Sequence, residues 1–211
     1  MKKVYIFDFD GTLVDEDLWF RSRWKKIFNN LKEELPRDSE VIFWQIFEKF
    51  GPKYKFHIQR LAEQIPSVSE YSDLLVSNFL KEEPEEELYS GASNFLNLLH
   101  KQEGSLLCII SDCSYNVLIQ RIKLLGILDF FDSIICDDVF KKPNLESFNL
   151  IKTTYSNYKK VFFGNSYDLD IVPAFKAGFE SYLFMEGQKE VPQPYYKTYQ
   201  SYDDLVKELI L

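Results

Sequence analysis

Apolar runs and amphipathic segments alternate along most of the chain. Five short runs are apolar almost throughout, which is typical of strands buried on both faces of a parallel sheet. These runs are Val4–Phe9, Leu106–Ser111, Ser133–Cys136, Val161–Gly164 and Ser181–Met185. The pattern therefore predicts a sheet of parallel strands whose two faces are both covered.

Amphipathic helices are predicted around the last four of these strands. The helical segments are Ala92–Gln102, Ser114–Leu125, Leu145–Thr153, Asp168–Ala177 and a closing Asp203–Leu211. Ser114 is a candidate N-cap for the second segment, and Gly126 is suited to end it. Because strand and helix alternate, we expect right-handed βαβ units and an α/β fold.

Between the first and second strands, only helical periodicity remains. Apolar residues from Phe20 to Leu35 predict one long helix, and Ser39–Phe50 predicts a second. Two further helices are predicted around Leu61 and around Leu75. We therefore expect an α/β domain of residues 1–14 and 88–211, interrupted by an all-helical domain of residues 15–87.

Charge and cysteine content limit the classes of partner. The 211 residues include 33 acidic and 25 basic side chains, for a net charge of -8. This charge repels nucleic acid and anionic membrane surfaces, so neither is an expected partner. The three cysteines lack metal-ligand spacing, and the first apolar run breaks at Asp8, too early for a signal peptide. A reduced cytoplasm is the simplest expected location, and the sequence does not predict an oligomeric state.

The end of the first strand carries the strongest chemical signal. Asp8 and Asp10 alternate along the strand and should project to the same side, and Gly11 allows a sharp turn after them. Two neighbouring carboxylates repel each other unless a cation or a proton lies between them. A solvated acidic turn is the simpler interpretation. However, burying carboxylates at the end of an apolar strand is costly, which favours an aspartate nucleophile, a neighbouring acid/base and Mg²⁺.

Polar residues follow three later strands in the same way. Ser111 ends the second strand before a helix, where a hydroxyl and free backbone amides suit a phosphate oxygen. Lys142 precedes Pro143 at a helix start and is the candidate cation that offsets the carboxylates, with Lys141 as the fallback. After the fourth strand, Asn165, Asp168 and Asp170 carry side-chain oxygens of the kind that bind Mg²⁺, and Asp168 is alternatively a helix cap.

These four motifs, in this order, resemble those of the haloacid dehalogenase superfamily, in particular its phosphoglycolate phosphatase-like and beta-phosphoglucomutase-like members. The resemblance spans essentially the whole chain and implies a Rossmann-like α/β core with a central first strand, plus a helical cap domain. It departs at Asn165, where the family commonly has Asp. Asn coordinates Mg²⁺ through its carbonyl oxygen but brings no charge.

The resemblance implies a Mg²⁺-dependent hydrolase that acts on a small phosphorylated metabolite through an aspartyl-phosphate. The residues that match the family's motifs, or stand directly beside a matched position, are then assigned as follows. Catalysis falls to Asp8, Asp10 and Lys142; substrate binding to Thr12, Ser111 and Asp112; and metal binding to Asp8, Asp10, Asn165 and Asp170.

Other functions remain open at this stage. Asp10 argues against a dehalogenase, because a halide leaves without a proton. A phosphotransferase or sugar-phosphate mutase shares all four motifs, and Asn165 also allows a catalytically weak phospholigand-binding protein. Charged and aromatic residues of the helical insert are candidates for substrate selectivity, namely Arg21, Arg23, Arg60, Trp19 and Trp24.

Overall fold

The computed structural model of the protein describes residues 2–51, 53–82, 85–136, 142–185 and 195–210. The chain divides into two compact units. One unit contains Met1–Asp15 and Leu88–Leu211, and the other contains Glu16–Glu87. Within the described ranges, no helix has both the length and the apolarity that a membrane span requires.

The first unit is built on a six-stranded sheet in the order β3-β2-β1-β4-β5-β6. The strands are β1 Lys3–Phe7, β2 Ser105–Ile110, β3 Ser133–Ile135, β4 Lys159–Gly164, β5 Glu180–Phe184 and β6 Lys197–Tyr199. Every pairing is parallel, and β1 lies between β2 and β4 as expected. The sequence did not predict β6, because its three residues form no apolar run.

Both faces of this sheet are buried, which explains the continuous apolar runs. Alternate residues of β1 enter different clusters: Tyr5 and Phe7 pack on one face, and Val4 and Ile6 on the other. Among the described residues, five α-helices accompany the sheet: α5 Ala92–His100, α6 Tyr115–Leu124, α7 Leu145–Thr154, α8 Val172–Lys176 and α9 Tyr202–Leu209. The first face packs against α5, α6 and α9, and the second against α7 and α8. The predicted α/β fold class is thus confirmed.

Two local predictions in this unit need adjustment. Ser114 precedes α6 as expected, but its side chain makes no capping hydrogen bond. The segment predicted as one helix from Asp168 begins as a π-helical turn over Tyr167–Ile171 and continues as α8. For the closing helix, Leu211 lies outside the described residues.

The second unit contains helices and no strand in the part that the structure describes. Its helices are α1 Glu16–Asn30, α2 Ser39–Phe50, α3 Tyr54–Gln64 and α4 Ser72–Lys81. The predicted long first helix was wrong at its end, since α1 stops at Asn30 rather than continuing to Leu35. Pro36 disfavours the helical conformation at the residue before it, which limits how far the helix can extend. A 3₁₀ turn over Pro66–Tyr71 precedes α4.

Most candidate selectivity residues of this unit already have structural roles. Trp24 is fully buried in the helical core, so the hypothesis that it contributes to substrate selectivity was wrong. Arg21 pairs with Glu48 at 2.7 Å, and Arg60 pairs with Glu63 at 2.8 Å. These contacts explain the residues without a ligand.

His57 makes the stability of the helical unit sensitive to acid. Its ring is fully buried beside Phe20, Phe43 and Phe47, and Nδ1 contacts the carbonyl of Lys53. Burial lowers the pKa of His57 below its ordinary 6.5. At this residue the unfolded chain therefore takes up a proton first as the pH falls, so the contribution of His57 to the stability of the folded form decreases below about pH 6.5.

We expect the free energy of unfolding to fall by up to about 1.4 kcal/mol per pH unit below this point on account of His57. Denaturant unfolding at a series of pH values measures the slope. His57→Leu should reduce the slope of the free energy of unfolding against pH in this range, whatever its effect on the stability at neutral pH. An unchanged slope in the variant would show that another group is responsible.

Candidate active site

The predicted site residues lie at one edge of the sheet, where the parallel strands end. Asp8 follows β1, and its backbone N–H donates to the carbonyl of Phe163 in β4. Ser111 follows β2, and its N–H donates to the carbonyl of Ile135 in β3. Ligands of open α/β sheets bind at this edge.

Lys142 joins two buried carboxylates. Its Nζ lies 2.5 Å from Asp8 Oδ1 and 2.7 Å from Asp170 Oδ1. The three side chains are only 5%, 6% and 1% exposed, respectively. The fallback cation, Lys141, lies outside the described residues. One ammonium group thus forms ion pairs with two carboxylates that are shielded from water.

This charge imbalance determines the electrostatics of the site. Burial raises the pKa of Asp8 to about 7, even though the neighbouring Lys142 opposes the shift. Burial disfavours the charge on Lys142 as well, but Asp8 and Asp170 outweigh this effect and raise the pKa of Lys142. The cluster therefore has an excess of negative charge that a further cation would stabilise.

The donor atoms available here are of the kind that bind a magnesium ion. Asp8 and Asp170 supply carboxylate oxygens, and Asn165 offers an amide oxygen at the neighbouring loop. Oxygen ligands of this kind are those that Mg²⁺ prefers. In the described part of the chain, no three His, Cys, Asp or Glu side chains group as a metal site. A site built from these residues would therefore rely on an amide or backbone oxygen in addition to its two carboxylates.

The loop after β1 is held tightly around Asp8. Thr12 Oγ1 donates to Asp8 Oδ2 at 2.8 Å. Gly11 has a φ of 73°, and a Cβ there would lie 2.0 Å from Asn165 Nδ2. Glycine adopts this positive φ without strain, and any side chain at this position would displace the Asn165 amide. At the far side, the Tyr202 hydroxyl donates to the Thr12 carbonyl at 2.6 Å.

Asp10 is not part of the cluster formed by Asp8, Lys142 and Asp170. Its Oδ1 instead lies 2.6 Å from Arg121 Nη2 of α6. The two acids of the first motif therefore have different cationic partners. We expect this difference in environment where one carboxylate acts as a nucleophile and the other transfers protons.

The remaining predicted residues surround this centre. Ser111 Oγ accepts from the N–H of Cys113 at 3.1 Å, and Asp112 Oδ1 accepts from the N–H of Lys142 at 2.8 Å. Asp112 thus helps to fix the backbone that carries the lysine. Asp168 is exposed, and Ser166 rather than Asp168 caps the following turn, so the capping alternative was wrong.

Sequence reasoning missed Arg121 and Tyr202. Arg121 carried a usable signal, since it follows the buried Leu118 by three residues and therefore lies on the inner side of α6. A charged residue in that position needs a partner. Tyr202 carried no comparable signal, because an aromatic residue in a closing helix is normally explained by packing alone.

Comparison with known proteins identifies the family. The model of the haloacid dehalogenase-like hydrolases matches residues 5–184. No curated protein sequence matches.

Solved structures share the fold along essentially the entire chain. A Bacillus subtilis protein described as the HAD hydrolase YfnB, bound to magnesium, is 18% identical with a TM-score of 0.75, covering 100% of this chain and 99% of that one. A predicted phosphoglycolate phosphatase from Haemophilus somnus is 21% identical with a TM-score of 0.67, covering 98% and 97%. A Thermotoga maritima protein described as a beta-phosphoglucomutase is 16% identical with a TM-score of 0.72, covering 99% and 100%.

The family match covers most of the chain, and the parallel sheet with its central β1 has the corresponding architecture. The chain belongs to the haloacid dehalogenase-like hydrolase family.

Proposed function

We propose that the protein is a Mg²⁺-dependent phosphatase that hydrolyses a small phosphate monoester through an aspartyl-phosphate. The observation that supports this most directly is the buried Asp8–Lys142–Asp170 cluster at the end of β1. A carboxylate held beside a fixed cation is suited to attack a phosphoryl group. Asp10 lies two residues further on and has a separate partner.

In the first half-reaction, an Asp8 carboxylate oxygen attacks phosphorus in line with the leaving oxygen. The bond from phosphorus to that oxygen breaks, and Asp10 in its protonated form gives its proton to the departing alkoxide. Lys142 offsets the negative charge that gathers between the aspartates and the phosphoryl oxygens. The Ser111 hydroxyl, at the neighbouring strand end, is assigned to hold one of these oxygens.

In the second half-reaction, Asp10 acts as a base. It takes a proton from a water molecule, whose oxygen attacks the phosphorus of the aspartyl-phosphate. The bond between Asp8 and phosphorus breaks, which releases inorganic phosphate and restores the Asp8 carboxylate. Asp10 is then protonated again for the next leaving group.

The metal would be held by Asp8, Asp170, Asn165 and the backbone carbonyl of Asp10. When bound, Mg²⁺ would neutralise charge and align phosphoryl oxygens. The raised pKa of Asp8 supports this requirement, because a further cation favours the ionised nucleophile. None of the three cysteines is in a disulfide, which supports action in a reducing compartment such as the cytoplasm.

The test is release of inorganic phosphate from an aryl phosphate and from a panel of phosphorylated metabolites, with Mg²⁺ and with a chelator. We expect hydrolysis that needs the metal. Transfer of the phosphoryl group to a sugar in preference to water would indicate a mutase or phosphotransferase instead. Lack of turnover at any pH or with any divalent metal would indicate a phospholigand-binding protein.

Asn165 should limit the affinity for magnesium. Asn165→Asp adds a negative charge among the proposed ligands, so we expect a lower Mg²⁺ concentration at half-maximal activity and tighter binding in calorimetry. Asn149→Asp is the matched control, since it makes the same change at an exposed position of α7, outside the proposed ligand set. Equal Mg²⁺ affinity of wild type and Asn165→Asp would remove Asn165 from the ligand set.

A further inference from the structure

Arg121 and Asp10 form an ion pair that is more buried than the exposed ion pairs of a protein surface. Arg121 Nη2 lies 2.6 Å from Asp10 Oδ1, and the two side chains are 12% and 33% exposed, respectively. The arginine therefore has little freedom, whereas the aspartate remains accessible to solvent. An ion pair with this degree of burial holds its geometry better than an exposed one.

Arg121 is itself fixed from two further directions. Its guanidinium carbon lies 4.6 Å from the centre of the Phe9 ring, and Phe9 is fully buried. Its Nη1 lies 3.9 Å from Cys113 Sγ in the loop after β2. Helix α6 anchors the backbone through Leu118 and Ile122, which are fully buried. The guanidinium thus contacts two successive residues of the first loop, Phe9 and Asp10.

The proposed reaction requires the carboxylate of Asp10 to be held in a defined position. Asp10 must reach the leaving oxygen in one half-reaction and a water molecule in the other, from a turn just beyond the end of β1. A misplacement of about 1 Å in such a group can lower turnover by about 10²-fold. The guanidinium of Arg121 fixes Oδ1 of Asp10. Because the carboxylate is rigid, the same contact also sets the direction of its other oxygen, Oδ2.

We propose that Arg121 is a positioning residue that orients the acid/base carboxylate of Asp10 for both proton transfers. The proposal rests on the proposed function, since it assigns a role within that reaction. Arg121 acts through Asp10 and not on the substrate. Its removal should therefore lower kcat and leave KM nearly unchanged.

The experiment measures steady-state kinetics of Arg121→Gln, Arg121→Lys and Arg121→Ala on the substrate that the wild type hydrolyses best. We expect Arg121→Gln to lower kcat by about 10- to 100-fold, as for other groups that orient a reacting residue. Arg121→Lys should retain more activity, because it keeps the charge but not the planar fork. Guanidinium at millimolar concentration should restore part of the activity of Arg121→Ala, and ammonium should not.

The coupling to Asp10 is tested by a double-mutant cycle. In an Asp10→Asn background, Arg121→Gln should cause little further loss, because the residue that it orients is already disabled. The control is Lys123→Gln, which removes an exposed positive charge from the same helix and should leave kcat unchanged. Circular dichroism verifies that each variant is folded. If Arg121→Gln does not fold, the kcat of Arg121→Lys and the guanidinium rescue of Arg121→Ala test the proposal instead.

The outcomes separate the two proposals. A wild-type protein without phosphatase activity would contradict the proposed function and, with it, the role of Arg121. An active wild type with unchanged kcat in Arg121→Gln would overturn only the role of Arg121. A rise in KM at unchanged kcat, or fully additive losses with Asp10→Asn, would also overturn it, because both indicate that Arg121 acts independently of Asp10.

Discussion

Replacing Asp8 with Asn is expected to abolish phosphate-ester hydrolysis while the protein stays folded. Asn is nearly isosteric with Asp, so the packing around this buried position is retained. The amide is a far weaker nucleophile, and we expect turnover to fall by about 10⁴-fold or more, as when other enzymes lose a nucleophile. The raised pKa of Asp8 indicates that its buried charge is costly, so a neutral residue should cause little loss of stability.

Phosphate release measures the activity of this variant, and denaturant unfolding measures its stability. Asp129→Asn, which changes an exposed acid in the same unit, is the control and should behave as the wild type. Hydrolysis by Asp8→Asn at the wild-type rate would refute the nucleophilic role. A variant that unfolds would instead show that Asp8 is needed to hold Lys142.

Replacing Lys142 with Met is expected to impair both activity and stability. The substitution leaves Asp8 and Asp170 buried without their shared cation. Removing one partner of a buried ion pair typically costs about 3–5 kcal/mol, and we expect a loss of this size in the free energy of unfolding. Turnover should fall as well, because the charge gathered at the phosphoryl group is no longer offset.

Two further variants identify the cause of this loss. Lys152→Met removes an exposed lysine of α7 and should change neither property. Adding Asp170→Asn to Lys142→Met removes one of the two carboxylates that have lost their cation. The double variant should recover part of the stability, but not the activity. Full stability of Lys142→Met alone would contradict the electrostatic account of the cluster.

Burial explains which parts of the fold were predictable. Strands such as β1 and β4 are covered on both faces, so nearly every residue is apolar and the run is visible in the sequence. The short β6 lies at the sheet edge and lacks this signal. The end of α1 was misplaced because apolar spacing continues through Leu31 and Leu35 after the helix has stopped.

The candidate site was predictable as a set of residues but not as a set of contacts. Asp8 stands out because an acid directly after a buried strand is unusual, and Asp170 because it matches an acid of the family's fourth motif. Their joint partner Lys142 lies 134 residues from Asp8 along the chain, and no local pattern encodes that distance. The pairing of Arg121 with Asp10 depends on how α6 is rotated against the sheet, which periodicity defines only approximately.

The bond from the Tyr202 hydroxyl to the Thr12 carbonyl has a consequence for biosynthesis. The two residues are separated by 190 positions, so the segment translated first is anchored by one translated much later. A nascent chain still lacking α9 has no such anchor for the loop that orients Thr12 towards Asp8. Ribosome-bound chains should therefore order the loop around Asp8 only after α9 has been translated.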